Sequence, residues 1–295
     1  MKSVLPMPEV TTLAPAAWLA LEAAHSARVA PWLDAHAARM RRSEAHPVYD
    51  FLFTYYSYAP SHLRRWHPGL GVILAGDEAE RFLDWRGYAR LSEGIGSSLS
   101  EIRPERLPGL RWMLSMLEAS QSRPARYGCY GLHEWAMVYR SRDVRHPHPL
   151  RMNPAELSAF VESQPICCTH YDAFRFFTPE ARPLNRVQPE RATTAEFEQR
   201  GCLHANMDLY KWAYKLVPLT SSRLIADCFD LAREIREVDM RASPYDLADL
   251  GFEPIRIEDP DGRAEYESLQ RQFTLRAEPL RDELIGLLQR VVHTL

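Results

Sequence analysis

The chain has 295 residues, 46% hydrophobic and 25% charged, with a formal net charge of −3 and a pI near 6.4. This is the composition of a globular protein long enough for a sizeable core, and it argues against a non-specific nucleic-acid coat protein. No apolar run reaches the ~18 residues that span a membrane, the first residues lack the apolar core of a secretory signal, and five scattered cysteines without a Cys-x-x-Cys pair suit a reducing cytoplasm.

In chain order, residues 1–13 read as a disordered or extended arm and 14–295 as a single, mainly α domain with minor β structure in the middle. Helix is predicted over 14–42 from Trp18, Leu21, Val29, Trp32 and Leu33, with a kink at Pro31. His46–Tyr56 is very aromatic and reads as a short buried helix. Arg64–Gly69 makes a turn. Residues 70–103 read as irregular apart from a short helix near 77–85. Leu107–Ser120 is amphipathic. Asn153-Pro-Ala-Glu156 carries an N-cap, a proline at the first helical position and a capping-box glutamate, so helix is predicted over 154–163. Ile166–Thr169 suits a short strand, and 178–192 a proline- and arginine-rich loop. Helices then follow from Thr194, over 201–216, over Ser221–Met240, and over 261–294 with an interruption at Pro279.

Reactive residues concentrate in blocks that also carry aromatics: His46–Tyr56, Gly128–Arg140, Cys168–Phe177, Gly201–Leu216 and, more weakly, Asp239–Asp246. Aromatic walls with a few convergent polar groups are the usual form of a small-ligand or nucleobase pocket. The bland alternative is that buried Tyr and Trp polar atoms need partners, which His and Asp supply. The Gly201–Leu216 block stands out because the chain holds only three lysines, Lys2, Lys211 and Lys215. An amine can act as base or nucleophile when desolvated, whereas a guanidinium cannot. On an ideal helix His204, Asp208, Lys211 and Lys215 fall within roughly 40° of one another, which also describes an ordinary solvated stripe.

Other chemistries are weaker in the sequence. There is no Gly-x-Ser-x-Gly elbow, and Gly94-Ile-Gly-Ser-Ser98 lacks the lysine of a phosphate loop. His170, Asp172, His204 and Asp208 form a credible donor set for iron, zinc or manganese, without a diagnostic spacing.

The blocks His46–Tyr56, Tyr130–Arg140, Cys168–Thr178 and Cys202–Leu216 resemble a bacterial family, common in actinobacteria, whose members carry the label 3-methyladenine DNA glycosylase. The resemblance runs from residue 14 to the C-terminus and implies excision of an alkylated base. Leu107-Pro-Gly-Leu-Arg111 departs from the glycine-rich hairpin of helix-hairpin-helix glycosylases, so no catalytic residue carries over from them. Residue chemistry then yields the leading expectation: an N-glycosidic hydrolase, without cofactor, acting on a modified purine in DNA or as a nucleoside. Asp172 or Asp208 would stabilise the oxocarbenium ion, with Lys211 tuning the carboxylate or attacking as an amine. Trp135, Tyr171, Phe174 and Trp212 would stack on the base, with His133, Glu134, His204 and Arg241 as further substrate contacts. The alternatives are a metal-dependent small-molecule enzyme using His170, Asp172, His204 and Asp208, and a non-catalytic nucleobase or small-ligand binder.

Overall fold

The protein is mainly α-helical with one small four-stranded sheet. A computed structural model describes residues 10–141 and 146–295. After β1 (Thr11–Leu13) come α1 (Pro15–Arg41), α2 (Phe51–Tyr55) and α3 (Pro60–Arg64), then β2 (Val72–Leu74), β3 (Tyr88–Leu91) and β4 (Gly94–Ser97). The remaining helices are α4 (Leu107–Ser122), α5 (Leu132–Ala136), α6 (Pro154–Glu162), α7 (Tyr171–Phe174), α8 (Thr194–Phe197), α9 (Leu203–Met207), α10 (Leu209–Lys215), α11 (Ser222–Arg241) and α12 (Pro260–Thr294). Among the described residues no helix is long and apolar enough to cross a membrane.

The chain forms two compact units. Among the described residues, one comprises those up to Ser115 together with Leu209–Asp230 and Leu280–Leu295; the other comprises those within Met116–Asp208 and Leu231–Pro279. No composition shift marks a boundary in the sequence, because each unit is assembled from separated segments.

In the first unit the strand order is β1-β2-β4-β3, with β1 parallel to β2 and the other pairs antiparallel. The strands β2, β3 and β4 occupy the stretch expected to be irregular. At three or four residues each they are too short for alternation to show. A Cβ at Gly94 would lie 2.2 Å from the Leu74 carbonyl oxygen, and one at Gly96 2.9 Å from that of Val72. These glycines therefore let strands approach, and the Gly-Ile-Gly block is sheet. Against the sheet packs an aromatic core. Trp18 of α1 is fully buried, stacks on Trp66 at 6.4 Å and meets Phe82 edge-on at 5.9 Å. Its indole N–H donates to the Ala75 carbonyl at 3.0 Å, so a large apolar ring is buried with its one polar atom satisfied.

The His46–Asp50 block has a structural task. Asp50, buried beside α2, accepts hydrogen bonds from His36 Nδ1 at 2.8 Å, Arg39 Nε at 3.0 Å and the His46 amide at 3.0 Å. Burial alone raises a carboxyl pKa. Here the bonds from Arg39, His36 and the amide outweigh it and hold the Asp50 carboxyl below its ordinary value. The block thus ties the loop after α1 back onto the helix.

Three local expectations change. The interruption expected at Pro279 is absent, and α12 runs on through it as α1 runs through Pro31; each ring removes one backbone hydrogen bond, and the long flanking helices continue past it. Ile166–Thr169 is not a strand: the Asn185 carboxamide takes the Cys168 N–H at 2.7 Å and donates to its C=O at 2.9 Å, doing the work of a partner strand. The arm expected over 1–13 lies largely outside the described residues, and Thr11–Leu13 is β1. The capping box at Asn153 and Glu156 is present with both reciprocal bonds.

Replacing Asp50 with Ala removes the buried acceptor shared by Arg39, His36 and the His46 amide, and a loss of about 3 kcal/mol is expected in denaturant unfolding. A carboxylate held low stabilises the fold above its unfolded pKa of about 3.9 and ceases to as pH falls through its lower native value. The wild-type protein should therefore lose stability relative to the Asp50→Asn variant only below about pH 4.

Candidate functional site

In the second unit three histidines and three carboxylates converge from segments far apart in sequence. His133 comes from α5, His170 from the residue before α7, Glu198 from the end of α8, His204 from α9, Asp208 from the residue after α9 and Asp239 from the last turn of α11. They form two triads. Side-chain donor atoms of His133, His204 and Asp239 lie within 4.8 Å of one another, and so do those of His170, Glu198 and Asp208. His204 joins the triads, with its ring centroid 4.4 Å from that of His133 and 5.3 Å from that of His170.

Local backbone features place these groups. Gly131, at φ 69°, turns the chain into α5, where a Cβ would lie 3.3 Å from the Ala242 side chain. Trp135, four residues after Gly131, is fully buried, and its Nε1 donates to the Ala242 carbonyl at 2.9 Å. That pins α5 beside the end of α11, which carries Asp239. The carboxamide of Gln199 accepts from the amides of Arg126 and Gly201, each at 2.8 Å, and fixes the turn between Glu198 and α9.

The two triads differ in how they are satisfied. His170 Nε2 lies 3.3 Å from Asp208 Oδ2 in hydrogen-bond geometry and 3.4 Å from Glu198 Oε1. In the other triad His133 Nε2 and Asp239 Oδ1 are 2.9 Å apart, yet off the line an N–H···O bond requires, and neither atom has a hydrogen-bond partner. Both residues are almost fully buried, at 1% and 0% exposure. His204 Nε2 lies 4.0 Å from Asp239 Oδ2. On its far side His133 Nδ1 is 3.6 Å from Cys129 Sγ, a contact that orients the ring.

The electrostatics follow from burial. Desolvation disfavours the His133 cation, but the adjoining Asp239 carboxylate overrides it and raises the imidazole pKa well above its ordinary value. Burial, His133 and His170 together push His204 well below its ordinary value. Asp239 is held low against its own burial by His133, His204 and Arg236. Arg236, also buried, lies 3.4 Å from Asp239 Oδ2 and 3.0 Å from Glu134 Oε1.

His133 and His204 also line a cavity of about 430 Å³, within the usual size of a small-molecule site. Its walls include the rings of Tyr130 and Tyr266, the carboxamides of Gln199 and Gln270, and four of the five cysteines: Cys129, Cys167, Cys168 and Cys202. Burial raises Cys167, Cys168 and Cys202 above the ordinary thiol value, so none is poised as a thiolate. The guanidiniums of Arg126 and Arg186 stand at the cavity, both close enough to Cys167 to favour its anion, and among the described residues no Asp or Glu lines it. Gln270 donates to the Gly201 carbonyl at 2.6 Å and leaves its buried Oε1 without a partner.

The residues singled out from sequence divide accordingly. His133, His170, His204 and Asp208 meet in the cluster, and Glu134 braces it through Arg236. Asp172 is not in either triad: its carboxylate pairs with Arg175 at 3.1 Å, so the expected donor set His170, Asp172, His204, Asp208 is corrected to two triads without Asp172. The expected single helix breaks at Asp208 into α9 and α10. Lys211 and Lys215 flank the Trp212 ring at 4.4 and 5.3 Å, and Trp112 meets that ring edge-on. Trp135 is tied to Ala242, Phe174 packs on Phe177, and neither they nor Tyr171 lines the cavity. Arg241 is bonded to the Glu253 carbonyl and to Glu265. Glu198, Gln270, Arg126 and Arg186 carried no sequence signal. Asp239 sat at the head of the weakest block.

Arg236→Met removes the guanidinium from between two buried carboxylates; a loss of about 3–5 kcal/mol is expected in chemical denaturation, and unchanged stability would mean that these acids are compensated elsewhere.

The chain matches no family model, no curated protein and no solved structure.

Proposed function

We propose that the second unit is the reaction centre of a metal-dependent enzyme acting on a small anionic molecule, with a divalent transition metal at His133, His204 and Asp239. One observation carries this reading: His133 Nε2 and Asp239 Oδ1 are buried and 2.9 Å apart, off hydrogen-bond line, and neither has a hydrogen-bond partner. A nitrogen and an oxygen donor at this separation, with His204 Nε2 4.0 Å from Asp239 Oδ2, can converge on one ion in place of the His133–Asp239 ion pair. Two imidazoles and one carboxylate are nitrogen and oxygen donors suited to iron, zinc or manganese. Its two histidines line the cavity and Asp239 stands behind them, which leaves the cavity side for water or substrate. The His170, Glu198 and Asp208 triad, tied together by the His170–Asp208 hydrogen bond, stands behind it with the His170 ring against that of His204 and holds His204 in place.

A bound metal would polarise a substrate oxygen or lower the pKa of a water. The chain's own residues do the rest. Cys129 and the His133 Nδ1 side fix that ring, Arg236 fixes Asp239, and Arg126 with Arg186 attracts and orients an anionic group. Gln270 Oε1 offers an acceptor to a substrate N–H or O–H.

Elemental analysis of protein purified without added metal should find close to one equivalent of iron, zinc or manganese. The His133→Ala variant should hold none while keeping its helical circular dichroism. Chelated protein that takes up none of the three metals stoichiometrically defeats the reading. Substitution of Arg126 and Arg186 by Ala is expected to raise KM for an anionic substrate by about tenfold or more, with kcat less affected, since exposed guanidiniums at the cavity bind more than they react.

A second reading, removal of a modified purine from DNA or a nucleoside, is favoured by a different observation: the Tyr130 and Tyr266 walls and the two glutamine carboxamides suit a nucleobase. In it Asp208, buried in the cluster, is the stabilising carboxylate, and Asp172 is replaced because Arg175 holds it. Base released from alkylated DNA at the same rate before and after chelation favours this reading over the first. No release from DNA or nucleosides, with metal or without, eliminates it.

A further inference from the structure

The first unit has a cavity of its own, of about 570 Å³, that neither reading uses. Four arginines line it: Arg65 just past α3, Arg86 in the loop before β3, and Arg103 and Arg106 ahead of α4. Against them stand two acids, Asp84 and Glu101. Counting those six side chains gives four positive and two negative charges. Trp85, Ile102 and Val217–Leu219 supply an apolar wall.

These arginines are used unlike many others in the unit. Arg28, Arg39, Arg64, Arg81, Arg90 and Arg223 each end on a carboxylate. Arg86 and Arg103 make no ion pair, hydrogen bond or ring contact among the described residues. Arg65 lies over the Trp85 ring at 5.3 Å, and Arg106 gives one N–H to the Lys215 carbonyl at 2.7 Å. Neither Asp84 nor Glu101 pairs with any of them. Guanidiniums that pass over two carboxylates in the same cavity leave their hydrogen-bond forks open, and such forks match phosphate oxygens.

A buried polar side chain also faces this space. His67 is 4% exposed and lines the cavity, with Nδ1 bonded to the Tyr88 hydroxyl at 2.9 Å. Its Nε2 takes no hydrogen bond among the described residues. Burial, with Arg65, His25 and His62, pushes this imidazole down to about 3. It is therefore neutral near pH 7.

We propose that this cavity binds a phosphorylated small molecule with a flat apolar portion, of the nucleotide class. The phosphate is held by Arg65, Arg86, Arg103 and Arg106, and the ring lies against Trp85 and Val217–Leu219. Glu101 and Asp84 accept from ligand hydroxyls. The concave form favours a small ligand over a nucleic-acid chain, which binds along an open groove.

The test is calorimetry on the full chain at fixed ionic strength, with AMP, pyrophosphate and adenosine as probes. AMP and pyrophosphate are expected to bind, and adenosine at least about tenfold more weakly than AMP, the cost of about one charge-assisted contact. The Arg86→Ala, Arg103→Ala double variant should lose about tenfold or more of AMP affinity. Its ligand-free unfolding temperature should stay at the wild-type value, because both side chains are exposed and unpaired. Should it fail to fold, either single variant carries the same expectation at smaller size. No heat and no thermal shift with millimolar AMP or pyrophosphate overturns the proposal. So does wild-type affinity in the variants, or equal binding of adenosine and AMP. Displacement of AMP by a short single-stranded DNA that binds far more tightly also overturns it, and assigns the arginines to a nucleic-acid backbone.

Discussion

Everything in the second unit is arranged around the cost of keeping carboxylates away from water. Glu134, Glu198, Asp208 and Asp239 are all buried, and an isolated buried carboxylate is among the least tolerable groups in a fold. The chain answers with Arg236 between two of them and with three imidazoles, each against a carboxylate or another imidazole. That answer demands long-range precision. It draws on α5, α9 and α11 and on the turns before α7 and after α8, and none can shift without exposing or orphaning a charge. A site of this kind is conformationally fixed before any ligand arrives, as preorganised polar centres are.

The first unit meets a different constraint with different means. Its aromatic side chains are large and bring polar atoms that need partners, so Trp18, Tyr58 and Tyr88 are buried with hydrogen bonds to a carbonyl or an imidazole. Tyr56, Tyr58, Tyr210 and Tyr214 make a further cluster of stacked and edge-on rings. Rigid rings with few rotamers give a stiff frame, and loops bearing the arginines of its cavity are mounted on that frame.

Much of the helical content was legible from spacing and caps: the Asn153 capping box, the apolar faces of α1, α4 and α11, and the helical character of the last thirty-odd residues, though not its continuity through Pro279. The strands were not, because β2 and β4 owe their place to glycine-permitted backbone approach and not to a side-chain pattern. The cluster was half legible. His133, His170, His204 and Asp208 stood out because each sits in a block dense in aromatics. Asp172 shared that density, and only its i,i+3 neighbour Arg175 decided its fate. Glu198 lies in an ordinary stretch, and Asp239 is one acid among several on a charged helix; what makes them special is a tertiary meeting that no local pattern encodes. Lysine scarcity pointed to α10, where the amines flank Trp212, an outcome that chemistry of the residue type alone does not distinguish from catalysis.

The interleaving of the two units has a consequence for synthesis on the ribosome. Domains usually form as their chains emerge, yet here the stretch begun first is completed last. The buried acids of the second unit find Arg236 and Asp239 only after α11 has left the tunnel, more than a hundred residues behind His133. The first unit waits longer still, for Leu280–Leu295. Until then its aromatic surfaces remain partly uncovered on a nascent chain. No single cut liberates either unit as one continuous peptide, so expression of fragments should yield aggregation-prone products where the full chain folds. Demand for chaperones during translation should be set by the last stretch of the sequence and not by the first.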